Sequence, residues 1–84
     1  MSAGDVRVLV VGSGGVGSAV AMIARRRSFF SAMVLADVDE ARARRAAEAT
    51  GDARFTSTQL DASDRRAVAE CLRAHRCTHV LNAA

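Results

Sequence analysis

Apolar and polar residues alternate in blocks along the chain, and the spacing within each block distinguishes strands from helices. Short runs rich in valine, leucine and threonine predict strands at residues 6–11, 33–37, 54–57 and 78–82. Helical periodicity covers residues 15–27, 40–50 and 64–74. In the first helix the apolar positions at helical spacing are Val16, Val20 and Ile23 or Ala24. This β-α-β-α-β-α-β order with right-handed crossovers predicts an α/β fold whose parallel sheet has the strand order 3-2-1-4.

Polar residues at the block boundaries support these helices. Asp37 or Asp39 can cap the start of the second helix, and Gly51 follows its end, where glycine tolerates a left-handed backbone. Ser63 precedes the third helix as its expected N-cap, with Asp64 at the first helical position. The sequence contains no proline that would interrupt these elements.

A glycine-rich turn joins the first strand to the first helix, in the run Gly12-Ser13-Gly14-Gly15-Val16-Gly17. Gly12 can make the tight turn out of the strand, and Gly14 has no Cβ to hold a pyrophosphate away from the backbone. Gly17 lets the helix pack closely on the strand. A G-x-G-x-x-G between a buried strand and a helix is the dinucleotide-binding fingerprint of a Rossmann unit, so we predict that the whole run, Ser13 included, binds a cofactor.

The first turn of this helix and the end of the second strand complete the predicted site. The N–H groups of Gly15 and Val16 would face the phosphates at the positive end of the helix dipole. Asp37 follows Gly17 by twenty residues and ends the second apolar run, where it can accept hydrogen bonds from the adenosine ribose hydroxyls. Because Asp37 would repel a 2′-phosphate, we expect NAD to be preferred over NADP, with nearby Arg42 opposing that preference.

Charge and hydropathy exclude other classes of function. All twelve basic residues are arginine, and they are scattered without interleaved aromatic residues, which favours a solvated surface over nucleic-acid binding. The uncharged stretch at residues 8–24 contains four glycines and is too short for a typical membrane span. Neither a membrane segment nor a secretory signal is therefore expected, and we predict a cytoplasmic protein.

The two cysteines are expected to be buried thiols in a reducing compartment. Cys71 lies on the apolar face of the third helix, and Cys77 opens the fourth strand. His75, Cys77 and His79 alternate and could share one face of a strand, but three such ligands splay apart and lack a fourth partner. We therefore expect no metal site.

The chain ends at Ala84, directly after the fourth predicted strand. A complete dinucleotide-binding sheet continues through two further strands, so residues 1–84 are expected to be the N-terminal part of such a domain. No nucleophile with its base and no pair of carboxylates is placed for catalysis. Cofactor binding is the chemistry that this sequence predicts.

Four segments resemble the N-terminal NAD(P)-binding region of the saccharopine dehydrogenase family: residues 8–21, 33–37, 60–64 and 78–84. The first two are general to Rossmann proteins, whereas Leu60-Asp-Ala-Ser-Asp64 and the Val-Leu-Asn-Ala run that ends at Ala83 are more specific to the family. The resemblance implies an oxidoreductase that moves a hydride between a nicotinamide cofactor and a carbon–nitrogen bond of an amino-acid-derived substrate. It places Asp61 and Ala62 beside the adenine, and Asn82 with Ala83 near the pyrophosphate or nicotinamide ribose.

Alternatives remain open at these positions. Asp61 could equally be a turn residue that bonds its own backbone, whereas Asn82 at a strand end suits a ligand contact. A regulatory nucleotide-sensing domain, of the kind that gates potassium transport, uses the same glycine turn and acidic residues, although the amide at the end of the fourth strand favours the dehydrogenases. The expected partners are a dinucleotide and, in the full-length protein, a small amino-acid-derived substrate, and a homo-oligomer is left open as an alternative to a monomer.

Overall fold

The computed structural model describes residues 3–84, which alternate between strands and helices. The strands are β1 (Arg7–Val11), β2 (Ala32–Asp37), β3 (Phe55–Gln59) and β4 (His79–Asn82). The α-helices are α1 (Gly15–Ala24), α2 (Glu40–Ala49) and α3 (Arg65–Ala74), and a short 3-10 helix, Ala3–Asp5, precedes β1. All strand pairs are parallel, in the order β3-β2-β1-β4. The predicted α/β fold and strand order are confirmed.

The sheet has an apolar layer on each face. Alternate residues of β1, such as Val8 and Val10, pack with α1 and α2 on one face, around the buried ring of Phe30. The intervening residues Leu9 and Val11 pack with α3 on the other face. Strands covered on both faces need continuous apolar runs, which explains why β1 and β2 contain so few polar residues.

Small residues form the contact between α1 and the sheet. Gly17, Ala21 and Ala24 are the buried residues of this helix, whereas Val16 and Ile23 are more than 60% exposed. The helix is confirmed, but its larger apolar residues do not form the buried face that their spacing suggested. A helix axis this close to the sheet leaves room only for glycine and alanine at the contact.

The helix boundaries differ from the prediction by a few residues. Helix α1 ends at Ala24 rather than at residue 27. Helix α2 is capped by Asp39, whose side chain accepts the backbone N–H of Arg42. Asp39 is one of the two residues that the sequence predicted as this cap. The prediction of Ser63 as a cap is wrong, because Asp64 caps α3 by accepting the N–H of Ala67.

The two edges of the sheet differ in character. Edge strand β3 carries the polar sequence Phe-Thr-Ser-Thr-Gln, whereas all four residues of edge strand β4 are exposed, including Val80 and Leu81. The paired positions on β1 place Val80 beside Leu9 and Leu81 beside Val10, so these two side chains lie on opposite faces of the sheet. None of the helices within residues 3–84 has the length and hydropathy needed to cross a membrane.

Candidate functional site

A cleft of about 340 Å³ opens where the carboxyl ends of the strands meet the start of α1. Its lining residues are Val11, Gly12, Gly14, Asp37, Val38, Arg42, Leu60, Ala62, Ala83 and Ala84. Strand β1 lies between β2 and β4, so the chain connections diverge on either side of it. In open α/β sheets, ligands bind at this switch point, outside the carboxyl ends of the strands.

Gly12 and Gly17 build the turn that closes one side of the cleft. Gly12 has a φ of 96° and donates its N–H to the carbonyl of Ala36 at 2.7 Å. A Cβ on Gly12 would lie 2.9 Å from the backbone of Ala84, and a Cβ on Gly17 would overlap the carbonyl oxygen of Gly12. Both positions therefore require glycine, one for the turn and the other for close packing of the helix on the strand.

Gly14 differs from these two glycines because, within residues 3–84 and apart from its two chain neighbours, no atom lies within 4 Å of the position that its Cβ would occupy. It is the N-cap of α1 and provides no side-chain hydrogen bond, whereas Asp39 and Asp64 cap α2 and α3. The first intrahelical bond runs from the N–H of Ser18 to the carbonyl of Gly14. The preceding N–H groups, including those of Gly15 and Val16, have no acceptor within the helix and suit an anion.

Ser13 holds the turn in place through its own polar groups. Its side chain is buried, and its hydroxyl donates to the carbonyl of Ala36 at 3.3 Å. Its N–H donates to Oδ2 of Asp37 at 2.9 Å, and its carbonyl accepts the hydroxyl of Ser18. These bonds join the glycine turn to both β2 and α1, and a direct contact between Ser13 and a ligand stays a prediction.

Asp37 lies at the end of β2 with only 7% of its surface exposed. Its Oδ1 accepts the N–H of Asp39 and its Oδ2 accepts the N–H of Ser13, each at 2.9 Å. Burial alone would raise the pKa of this carboxyl, but the N–H groups of Asp39, Ser13 and Val38 and the charge of Arg42 together lower it. Asp37 is therefore a buried carboxylate at the edge of the cleft.

Asp61 and Ala62 follow β3 near the same cleft. Oδ1 of Asp61 accepts both the N–H and the hydroxyl of Ser63, at 2.9 and 2.7 Å, and these bonds lower the pKa of the exposed Asp61 carboxyl. Asp61 thus forms a local turn, which is one of the two roles that the sequence left open for it. Ala62 lines the cleft. A contact between either residue and adenine stays a prediction.

Asn82 and Ala83 end β4 beside the glycine turn. Oδ1 of Asn82 accepts the N–H of Ala84 at 3.0 Å, and the N–H of Ala83 donates to the carbonyl of Val11 at 2.8 Å. Ala83 and Ala84 line the cleft, whereas the amide of Asn82 holds the chain just beyond the strand. The cofactor contacts expected of Asn82 and Ala83 stay predictions.

Several lining residues were not singled out from the sequence, namely Val11, Val38, Leu60 and Ala84. Their common feature is their position at or just after the end of a strand. Because the carboxyl ends of parallel strands share one edge of the sheet, that position could have identified these residues from the sequence. Apolar residues next to a glycine turn and a carboxylate fit a dinucleotide, which has apolar ring faces as well as charged and hydroxyl groups.

Neither cysteine is among the residues that line this cleft. Cys71 is buried, Cys77 is half-buried, and neither forms a disulfide. Burial raises the pKa of both thiols, so neither has the character of an activated nucleophile. Across residues 3–84, no three histidine, cysteine or acidic side chains are grouped as metal ligands would be.

Comparison with known proteins agrees with this geometry. The family model of the saccharopine dehydrogenase NADP-binding domain matches residues 8–84, which include every residue that lines the cleft. A search of curated proteins finds no significant match. The match spans nearly the whole chain, from the second residue of β1 through the end of β4. The chain therefore belongs to the saccharopine dehydrogenase NADP-binding domain family, and the dinucleotide predicted from the glycine turn is the ligand type of that family.

Proposed function

We propose that this chain is the N-terminal, cofactor-binding part of a saccharopine dehydrogenase-like oxidoreductase. The observation that carries the proposal is the open space at Gly14, which lies at a helix N-terminus without a side-chain cap. An anion in that space would meet the free N–H groups of the first helical turn. Family membership supports a nicotinamide dinucleotide as the molecule that brings this anion.

Each part of the cleft would bind a different part of the dinucleotide. The pyrophosphate would lie against Gly14 and accept hydrogen bonds from Gly15 and Val16. The adenosine ribose would lie beside Asp37, whose buried carboxylate can accept hydroxyl hydrogen bonds beyond those it already accepts. We propose that NAD is preferred over NADP, because a 2′-phosphate would carry its charge toward this carboxylate.

When bound, the nicotinamide ring supplies the hydride chemistry, and we propose a carbon–nitrogen bond of an amino-acid-derived molecule as the substrate. The residues of this chain bind and orient the dinucleotide. Asp37 and Arg42 are the charged residues among those that line the cleft, and neither has a partner that would make it a general acid or base. We therefore propose that the chain alone binds the cofactor but does not turn over substrate. We also propose that it functions in the cytoplasm.

A regulatory nucleotide-sensing domain is the second candidate function. The glycine turn, Asp37 and Asp61 would serve such a domain equally well. Asn82, which places an amide at the end of β4, supports the dehydrogenase-like function. The nucleotide that binds most tightly distinguishes the two, because a sensor of this kind need not require the nicotinamide half.

Calorimetric titration of the chain with NAD, NADP and ATP tests the proposal. We expect NAD to bind most tightly. A preference for NADP of about tenfold, or 1.4 kcal/mol, would contradict the role assigned to Asp37. ATP binding more tightly than either dinucleotide would favour the sensing domain, and no binding of any of the three would overturn both functions.

A further inference from the structure

We propose that two copies of this chain associate through the outer edge of β3 and the adjacent side of α2. The two β3 strands run antiparallel, and a two-fold axis passes near Ser57. The contact joins two four-stranded sheets into one continuous sheet. The inference goes beyond the proposed function, because the residues that carry it do not line the cleft.

The outer edge of β3 carries unpaired backbone groups. Within residues 3–84, β3 pairs with β2 alone. The N–H of Met33 on β2 donates to the carbonyl of Arg54 at 2.9 Å, so the backbone groups of Arg54 point toward β2. Successive residues of a strand point these groups to opposite sides, so Ser57 and Gln59 direct theirs away from β2. Another strand can bind there.

Strand β3 also lacks the features that usually prevent pairing at the edge of a sheet. Its sequence, Phe-Thr-Ser-Thr-Gln, contains no charged residue, proline or glycine. Charged side chains and proline are common means of blocking an edge strand. An antiparallel pair centred on Ser57 places Thr56 opposite Thr58 of the second copy, and threonine pairs of this kind stabilise a sheet.

Helix α2 lies where it would contact its own copy in such a dimer. Ala46 and Ala47 of α2 pack with Phe55 of β3 on one face of the sheet, so α2 covers the strands next to this edge. Neighbouring strands lie about 4.8 Å apart, which would place the axes of two α2 helices about 10 Å apart. Packed helices have axes about 8–10 Å apart, so strand pairing and helix packing are compatible.

The alignment of α2 with β3 determines which helical residues meet. Near the start of α2, the side chain of Gln59 donates to the carbonyl of Val38 at 3.1 Å. Near its end, the N–H of Phe55 donates to the carbonyl of Asp52 at 3.1 Å. Ser57 therefore lies beside the middle of the helix, and a two-fold axis near Ser57 makes the two α2 helices cross near their midpoints.

The charges on this side of α2 are complementary to themselves. Arg44 and Glu48 lie one helical turn apart and line a groove between α2 and β3. In a two-fold contact the same surface serves both copies, so Arg44 faces Glu48 of the second copy and Glu48 faces its Arg44. Within one copy, Arg44 makes an exposed 3.8 Å ion pair with Glu40, which contributes little and leaves the guanidinium free to turn.

Sedimentation velocity over a range of concentrations tests the proposal on the wild-type chain, R44E, E48R and the double variant R44E/E48R. We expect the wild type to approach twice the 8.8 kDa mass of one chain as its concentration rises. Each single reversal should weaken dimerisation about tenfold or more, because it places like charges opposite each other at two symmetry-related positions. The double variant should restore dimerisation.

The matched control for charge is R66E, which changes the net charge of the chain as much as R44E does. Arg66 belongs to α3, which packs on the opposite face of the sheet, so R66E should dimerise like the wild type. S57P tests the strand contact. The N–H of Ser57 points away from β2, so proline there removes no hydrogen bond within one copy and should abolish the dimer with helix content unchanged.

Hydrogen exchange of the wild-type chain gives a second measurement, which decides the question even if S57P misfolds. The amides of Ser57 and Gln59 should exchange more slowly as the concentration rises. Those of Thr56 and Thr58, already bonded to β2, should show no such dependence.

The inference is overturned if the chain stays monomeric at millimolar concentration. It is also overturned if R44E/E48R fails to restore a dimer lost in R44E, or if R66E weakens the dimer as much as R44E does, because the effect is then one of net charge alone. A dimer in which Ser57 and Gln59 gain no protection forms through another surface, which overturns it equally. These outcomes leave the proposed dinucleotide site untouched.

Discussion

The backbone N–H of Ser13 donates a 2.9 Å hydrogen bond to Oδ2 of Asp37 and so connects the glycine turn after β1 to the end of β2. This bond joins the part of the cleft suited to phosphates to the part suited to a ribose. Ser13 is buried, and the carboxylate of Asp37 also holds the start of the loop before α2 through Asp39. The charge on Asp37 therefore contributes to the shape of the site as well as to the ligand contacts proposed for it.

We predict that the folded chain loses stability in acid through Asp37. Its pKa is lower in the folded chain than the value of about 3.9 for an unfolded aspartate. Ionised Asp37 therefore contributes its full stabilisation above that pH, and the contribution disappears as the pH falls through the folded-state pKa. Thermal melts between about pH 6 and pH 2 should show a falling Tm at the acid end.

The variant D37N tests whether this residue is responsible. Its acid slope should be shallower than that of the wild type, with a lower Tm at neutral pH. The remaining slope should come from Asp52 and Asp61, whose pKa values are lowered by hydrogen bonds from Arg54 and Ser63. Equal slopes for D37N and the wild type would contradict the prediction.

We predict that Gly14→Val abolishes dinucleotide binding and preserves the fold. Apart from its chain neighbours, the valine Cβ would meet no atom of residues 3–84 within 4 Å, so it would project into the space proposed for the pyrophosphate. Circular dichroism should show wild-type helix content, and calorimetry should show a loss of at least about a hundredfold in affinity, or 2.8 kcal/mol. Retained affinity would place the phosphate site elsewhere.

Gly17→Ala is the contrasting variant. Its Cβ would overlap the carbonyl oxygen of Gly12 and would lie 2.9 Å from the carbonyl carbon, so the helix would have to move away from the sheet. We expect this variant to lose stability as well as binding, by about 1–3 kcal/mol in chemical denaturation. Gly14 would then be required for ligand binding alone, whereas Gly17 would be required for the packing of the helix on the sheet.

We predict that Arg54→Met lowers the Tm by about 4 °C or more. The Arg54 guanidinium donates to the carbonyls of Arg25 and Arg27 beyond the end of α1, at 3.0 and 2.7 Å, and pairs with Asp52 at 2.7 Å. It also lies 4.2 Å from the ring centre of Phe30. Methionine keeps much of the apolar contact and loses every side-chain hydrogen bond, and Arg54→Lys should give an intermediate Tm. A Tm unchanged in Arg54→Met would show that these bonds contribute nothing.

We predict that Arg76→Gly stabilises the chain by about 1 kcal/mol. Arg76 has a φ of 55° directly after the α3 cap, where its N–H donates to the carbonyl of Arg73 and the N–H of Cys77 donates to that of Leu72. This pattern is a Schellman motif, in which glycine avoids the penalty of a left-handed backbone. Arg73→Gly, inside the helix, should destabilise by a similar amount. Chemical denaturation measures both changes, and a destabilised Arg76→Gly would contradict the account.

The sequence predicted the features that depend on neighbouring residues. The glycine turn, Asp37 and the alternation of elements all follow from local spacing. Val16 and Ile23 could not be placed correctly, because the buried face of α1 depends on how closely Gly17 approaches β1. The contacts of Arg54 with the end of α1 could not be predicted from the spacing of neighbouring residues either, because they join residues that are 27 or more positions apart.

At the site, too, the sequence predicted local features better than contacts between distant residues. The carboxyl ends of the strands indicated where a ligand would bind, but not which polar groups the protein itself would use. Ser13 and Asn82 were predicted as contacts, and each has a hydrogen bond that stabilises its own loop. Asp61 had two interpretations from the sequence, and the structure shows its turn with Ser63.

The most direct test of the central claim is to follow the backbone amide resonances of the labelled chain by NMR during titration with NAD. We predict that the largest shifts occur at Gly14, Gly15 and Val16, with smaller shifts after Asp37 and at Ala83. The amides of Thr50 and Gly51, at the far end of α2, should not move. Unchanged amides in the glycine turn at saturating NAD, or the largest shifts near Arg25–Arg27, would contradict the claim that this cleft binds the dinucleotide.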